Sequence, residues 1–199
     1  ATRVALKEGI AGNLAGGTHH AHADRGEGFC VFNDIAVCTR MLQREGHAKR
    51  VLIIDLDVHQ GNGNSSIFAG DASVFVFSMH GRQNYPFKKI PSSLDIELET
   101  GTEDEQYLSL LRGAIPRLEE FDADFVFYQM GVDALKQDSL GKLALSHEGL
   151  AERDRIVLTW CQEQRLPVVL ALGGGYARPI EPTVRAYANT YRVASSLYE

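Results

Sequence analysis

The residues with the clearest chemical potential form one short run, Asp55-Leu56-Asp57-Val58-His59-Gln60-Gly61-Asn62-Gly63, directly after the apolar stretch 51–54. Charge at the end of a buried strand is costly unless it is paired or ligates a metal. Asp57 and His59 are two apart, so in extended backbone their side chains project to one side. A carboxylate and an imidazole supply two of the three protein ligands of a catalytic zinc site, whose fourth position stays open. Asp133, after the apolar run 124–129 and Gly131, is the natural third. A lone Asp after a strand more often caps a turn; the clustering favours ligation. Metal-assisted hydrolysis also needs a base near neutral pKa. Gly16-Gly17-Thr18-His19-His20-Ala21-His22 holds three of the seven histidines within four positions. Asp55 is suited to orient one of these rings from behind. His22 has the weakest claim and reads as solvated or on the rim. Gly173-Gly174-Gly175-Tyr176 would bring backbone close to a substrate and present a phenol able to donate to a developing oxyanion. The alternative is a flexible loop with a half-buried Tyr. Gly28-Phe29 reads either as a wall for an apolar part of a substrate or as core.

These groups need a scaffold. Stretches 51–56, 73–78, 124–129 and 167–172 have strand character, and 33–44, 103–120, 146–164 and 181–197 have helical patterning. Thr102-Glu103-Asp104-Glu105 reads as a capping box at a helix start. Strands alternating with helices predict an α/β fold with a mainly parallel sheet. In such sheets ligands bind beyond the carboxyl ends of the strands. The four strands are followed by Asp55, Asp57 and His59; by Ser78 and His80; by Gln129 and Asp133; and by Gly173–Tyr176. The chemistry therefore converges on one sheet edge. At 199 residues, 44% hydrophobic and 23% charged, the chain fits one soluble globular domain, 1–199. A net charge of −6 argues against direct nucleic-acid binding. Cys30, Cys38 and Cys161 lack metal or redox spacing and read as free thiols in a reducing compartment. Neither a membrane-span-length apolar stretch nor a signal-peptide h-region is apparent. A cytoplasmic location is the default, or a nuclear one in a eukaryote.

Together these motifs resemble the zinc-dependent histone deacetylases of the arginase/deacetylase superfamily. The resemblance covers essentially the whole chain. It rests on Gly17-Thr18-His19-His20-Ala21, Gly28-Phe29-Cys30-Val31-Phe32-Asn33-Asp34, Asp55–Gly63, Gly131-Val132-Asp133 and Gly173-Gly174-Gly175-Tyr176. Gln60, Asn62 and the stretch 101–108 resemble the class IV branch and its bacterial relatives. The resemblance implies a three-layer αβα fold, with the amino-terminal part of the family pattern absent from this chain. It implies one Zn2+ held by Asp57, His59 and Asp133. His19 and His20 would form the catalytic pair, with His20 as general base and acid, and Asp55 would support His19. Tyr176 would polarise the acyl carbonyl. Gly28, Phe29, Phe87 and Gly174 would contact substrate, with Tyr85 and Pro86 beside Phe87. A structural K+ would lie at Asp55, Asp57, His59 and Ser78. In the better-known class I pattern, the partner of His20 is an Asp; here the matching residue is Asn62, which predicts a less basic His20.

The implied substrate is an acyl-lysine protein or peptide, or alternatively an acetylated small amine such as an acetylpolyamine. A non-catalytic acyl-lysine reader is a third reading, disfavoured because all the candidate catalytic residues are present. A binuclear arginase-like centre lacks ligands, since Gly61 stands where a second acid is needed. Gly173–Gly175 lacks dinucleotide-binding spacing. Oligomeric state, acyl chain length and native metal are left open.

Overall fold

Val51, Leu52, Ile53 and Ile54 are all fully buried, as befits a strand covered on both faces. They form β2 (Val51–Asp55) at the centre of a six-stranded sheet in the computed structural model, which describes residues 1–198. The other strands are β1 (Ile10–Asn13), β3 (Val74–Gly81), β4 (Leu94–Leu98), β5 (Phe125–Gln129) and β6 (Val168–Ala171). Their order is β1-β6-β5-β2-β3-β4, and every pairing is parallel.

Alternation along the strands divides the core in two. Leu52, Ile54, Val126, Tyr128, Val168 and Leu170 pack against α4 (Asp104–Glu119), α5 (His147–Glu163) and α6 (Glu181–Tyr198). Val51, Ile53, Phe125, Phe127, Val169 and Ala171 pack against α1 (Thr2–Glu8) and α2 (Asp34–Arg44). The result is the expected three-layer αβα sandwich. Strand order runs outward from β2 in both directions, so the crevice between the carboxyl ends of β2 and β5 is a topological switch point, the usual ligand position in such sheets. No helix of the described residues is long and apolar enough to cross a membrane.

Several local features differ from expectation. The sequence reading did not anticipate α1, β1, β4 or the short α3 (Asn62–Ile67). β3 continues beyond position 78 to Gly81, because β4 pairs with its second half. His80 is therefore a buried strand residue, its Nδ1 2.9 Å from the Ser78 hydroxyl. The capping box does not form. Glu103 is the N-cap of α4 without a side-chain cap bond, and the Thr102 hydroxyl donates instead to the Glu99 carbonyl at 2.8 Å. Asp104 is also drawn away, accepting from the backbone and hydroxyl of Ser146 at the start of α5.

Candidate active site

Asp57 and His59 follow β2, and Asp133 follows β5, so the switch point brings the three together. Asp57 and Asp133 are fully buried, and His59 nearly so. Their donor atoms converge: His59 Nδ1 lies 3.0 Å from Asp57 Oδ1 and 2.9 Å from Asp133 Oδ2. One ring nitrogen facing two carboxylates in a dry site is the donor set of a divalent cation. Without a cation the arrangement is electrostatically costly. Burial, then the Asp57 charge, pushes the Asp133 carboxyl up to about 7. Burial alone would lower His59, but hydrogen bonds to Asp133 and Asp57 raise it to about 10. The three residues therefore fit a metal ion on their own chemistry.

The backbone behind these three residues is held by Gly174, expected as a substrate contact, and by Tyr187 and Asp138, which the sequence reading did not identify. The Gly174 N–H donates to Asp57 Oδ2 at 2.6 Å. A Cβ at Gly174 would overlap the Asp133 carboxylate, so only glycine permits this approach. Gly174 thus supports the ligands from behind. Tyr187 fixes the glycine loop: its hydroxyl accepts from Gly173 N at 2.9 Å and lies 2.7 and 2.9 Å from the Gly173 and Gly174 carbonyls. Asp138 accepts from the Tyr176 N–H at 2.6 Å.

The histidine pair lies in a loop pinned to the same edge. Asp34, at the first position of α2, accepts from the N–H groups of Gly17 and Thr18, each at 2.9 Å. Gln129, at the end of β5, donates to the Gly17 carbonyl at 2.8 Å. His19 Nδ1 lies 2.7 Å from Asp55 Oδ2, and His20 Nδ1 lies 2.7 Å from Asn62 Oδ1. The rings are 4.1 Å apart between centroids. Burial opposes charge on both. For His19, the carboxylates of Asp55 and Asp57 overcome it and raise the pKa to about 9. For His20, burial and the charge of His19 prevail over the Asn62 hydrogen bond and lower it to about 3. The two adjacent imidazoles are thereby shifted in opposite directions. His22, expected on the rim, is buried, with Nε2 3.3 Å from Asn62 Nδ2.

A cavity of about 440 Å³ opens above these groups. His20, His59 and Tyr176 line its floor, with Gly28, Phe29, Tyr85 and Phe87 on its walls. Gln83, Asn84, Leu140 and Lys142 also line it; nothing in the sequence pattern singled them out. Phe29 and Phe87 are 89% and 86% exposed, two large apolar side chains left at the mouth of a pocket. Phe29 has φ 65°, a strained conformation for a bulky residue that the neighbouring loop must enforce. Tyr176 is 6.4 Å from His59 between ring centroids. Burial, then Asp57 and Asp133, keeps its phenol protonated. Asp55 and Ser78 are register partners on β2 and β3.

A parallel α/β sheet thus brings a buried Asp/His/Asp cluster able to hold a metal ion together with paired histidines and a phenol beside one pocket. Comparison with known proteins gives the family. The histone deacetylase domain matches residues 1–191. An uncharacterised protein of Picosynechococcus sp. is 45% identical over 98% of this chain and 66% of its own length. Histone deacetylase 2 of Arabidopsis thaliana is 36% identical over 89% of this chain and 47% of its own. The crystal structure of acetylpolyamine aminohydrolase from Burkholderia pseudomallei has the same fold, with a TM-score of 0.80 at 22% identity over 96% of this chain and 59% of that one. The chain therefore belongs to the histone deacetylase family, and it spans between about half and two thirds of the length of these relatives.

Proposed function

We propose that this chain carries the catalytic site of a zinc-dependent amidohydrolase that removes the acyl group from Nε-acyl-lysine in proteins or peptides. The observation that carries the reading is the convergence of Asp57 and Asp133 on His59, which lines one pocket together with His20 and Tyr176. When bound, zinc would supply Lewis acidity toward water and the acyl carbonyl. The remaining work falls to this chain's residues. Neutral His20 accepts the proton of the attacking water and later returns it to the departing lysine amine. His19, fixed by Asp55, lies against His20 and helps to hold its ring in place. Tyr176 donates to the carbonyl oxygen as it becomes an oxyanion. Phe29, Tyr85 and Phe87 offer apolar surface to the lysine methylenes and exclude water from the reacting amide. A structural K+ around Asp55, Asp57, His59 and Ser78 belongs to the same reading. Asn62 and Gln60 favour placement in the class IV branch. Gln60 acts there as a brace, bonding Asp95 and the backbone of Ile90.

An acetylated polyamine is the second reading, favoured by the fold shared with the Burkholderia enzyme. The two separate in a panel of acyl-lysine peptides and acetylpolyamines assayed with the full-length, zinc-loaded protein. The first reading expects peptide turnover with the higher kcat/KM. Turnover of acetylpolyamines alone would replace it with the second, and turnover of neither would overturn both.

A further inference from the structure

Asn62 presents His20 with a choice that an Asp would not. A carboxylate can only accept from the ring, whereas an amide accepts through Oδ1 and donates through Nδ2. With Oδ1 toward His20, Nδ1 carries the ring proton and the Nε2 lone pair is free to take a proton from water. With Nδ2 toward His20, Nδ1 must accept, Nε2 carries the proton, and the neutral ring cannot serve as base.

The far end of the amide settles the choice. Asn62 Oδ1 lies 2.7 Å from His20 Nδ1, and Asn62 Nδ2 donates to Glu27 Oε1 at 2.7 Å. An ionised carboxylate is acceptor-only, so the amide atom facing it must be the nitrogen. The Tyr85 hydroxyl donates to the same Oε1 at 2.6 Å, which holds the Glu27 carboxyl below its ordinary range. Turning the amide over would set two acceptor oxygens against each other at a part-buried contact. The other charged or titratable groups facing Glu27 are His22, with Nε2 3.3 Å from Oε2, and Arg25, with Nε 3.5 Å from it. Both approach the second oxygen, and His22 Nε2 also faces the amide nitrogen of Asn62 at 3.3 Å.

We propose that Glu27 is a positioning residue: through Asn62 it fixes His20 in the Nδ1–H tautomer and, through Tyr85, ties that setting to the wall of the substrate pocket. The proposal rests on the reading of His20 as general base, but the tautomer is measurable without turnover.

The test uses the zinc-loaded full chain with 15N-labelled histidine, reading which nitrogen of His20 bears the proton, alongside steady-state kinetics. Wild type should show Nδ1–H. Glu27→Gln, whose amide can accept as well as donate, should admit Nε2–H and lower kcat about tenfold, with KM changed less than about twofold. Asn62→Asp combined with Glu27→Gln puts an acceptor-only carboxylate against the ring and an amide donor behind it, so the double variant should return to Nδ1–H and regain kcat lost by Glu27→Gln alone. Nε2–H in wild type would overturn the proposal. So would Glu27→Gln retaining pure Nδ1–H, or a double variant no better than Glu27→Gln alone, which would mark a merely structural residue. Nδ1–H in a wild-type protein that turns over no acyl-lysine would uphold the tautomer assignment and overturn the functional reading instead.

Discussion

His19 and His20 are neighbours of one residue type, and their partners give them opposite states. Asp55 and Asp57 hold His19 charged against its burial, while His20 meets an amide, burial and the charge of His19, and stays neutral. Such divergent environments accord with the proposed division of roles, with His20 as the base. Tyr176 has the simplest test at this scale. Tyr176→Phe should lower kcat about a hundredfold while changing KM little, because its hydrogen bond is strongest at the oxyanion. Steady-state kinetics on an acetyl-lysine peptide would show this; a change in KM alone would refute the role. The ligands themselves predict a pH dependence. Asp133 at about 7 and His59 at about 10 must both give up protons before ligating. Lowering pH refills these sites, so zinc affinity should rise steadily from about pH 6 to pH 9, with protons released on binding. Calorimetry in buffers of different ionisation heat would measure both, and an affinity flat over that interval would contradict the assignment.

At the scale of elements, the site depends on how the strand ends are held. Arg153 on α5 is fully buried and donates to the carbonyls of Gly131 at 2.6 Å and of Leu56 and Met130 at 3.3 Å, while pairing with Asp154 at 2.8 Å. It clamps β2 and β5 immediately before Asp57 and Asp133. Arg153→Met should cost about 3–5 kcal/mol, since it strands a buried carboxylate and frees three carbonyls. Urea unfolding would read this, and a loss below about 1 kcal/mol would show that the clamp is dispensable. Gly174→Ala should abolish high-affinity zinc binding, because its Cβ would displace the Asp133 carboxylate; metal analysis after dialysis would check it.

The same scale explains what the sequence made legible. β2, β5 and β6 are central strands with continuous apolar runs, and their positions were readable to within about two residues. The four expected helices were similarly clear from their periodicity, and Ser146 caps α5 through its hydroxyl. Elements held by tertiary contacts were not legible. β1 is four residues at a sheet edge, β4 alternates charge on the other edge, and α3 opens Asn-Gly-Asn-Ser-Ser, a poor helical sequence. The candidate ligands and histidines stood out because buried charge is rare. Glu27, Asp138, Tyr187 and Arg153 did not, because the contacts that tie them to the site reach residues 14 to 97 positions away.

At the scale of the molecule, the fold concentrates its cost at one place. Three buried carboxylates, Asp55, Asp57 and Asp133, and three histidines meet at the switch point of the sheet, and metal binding should repay that cost as stability. Binding to the native state alone adds about 2.7 kcal/mol at a hundredfold excess over Kd, so zinc removal should lower Tm measurably. The central claim is that one zinc ion at Asp57, His59 and Asp133 makes this pocket a deacylase. It is tested most directly by titrating metal-free protein with zinc while following acetate release from an acetyl-lysine peptide. Activity should rise in proportion to bound zinc and saturate at about one ion per chain. A protein carrying that single ion without releasing acetate, or releasing it equally well without metal, would contradict the account.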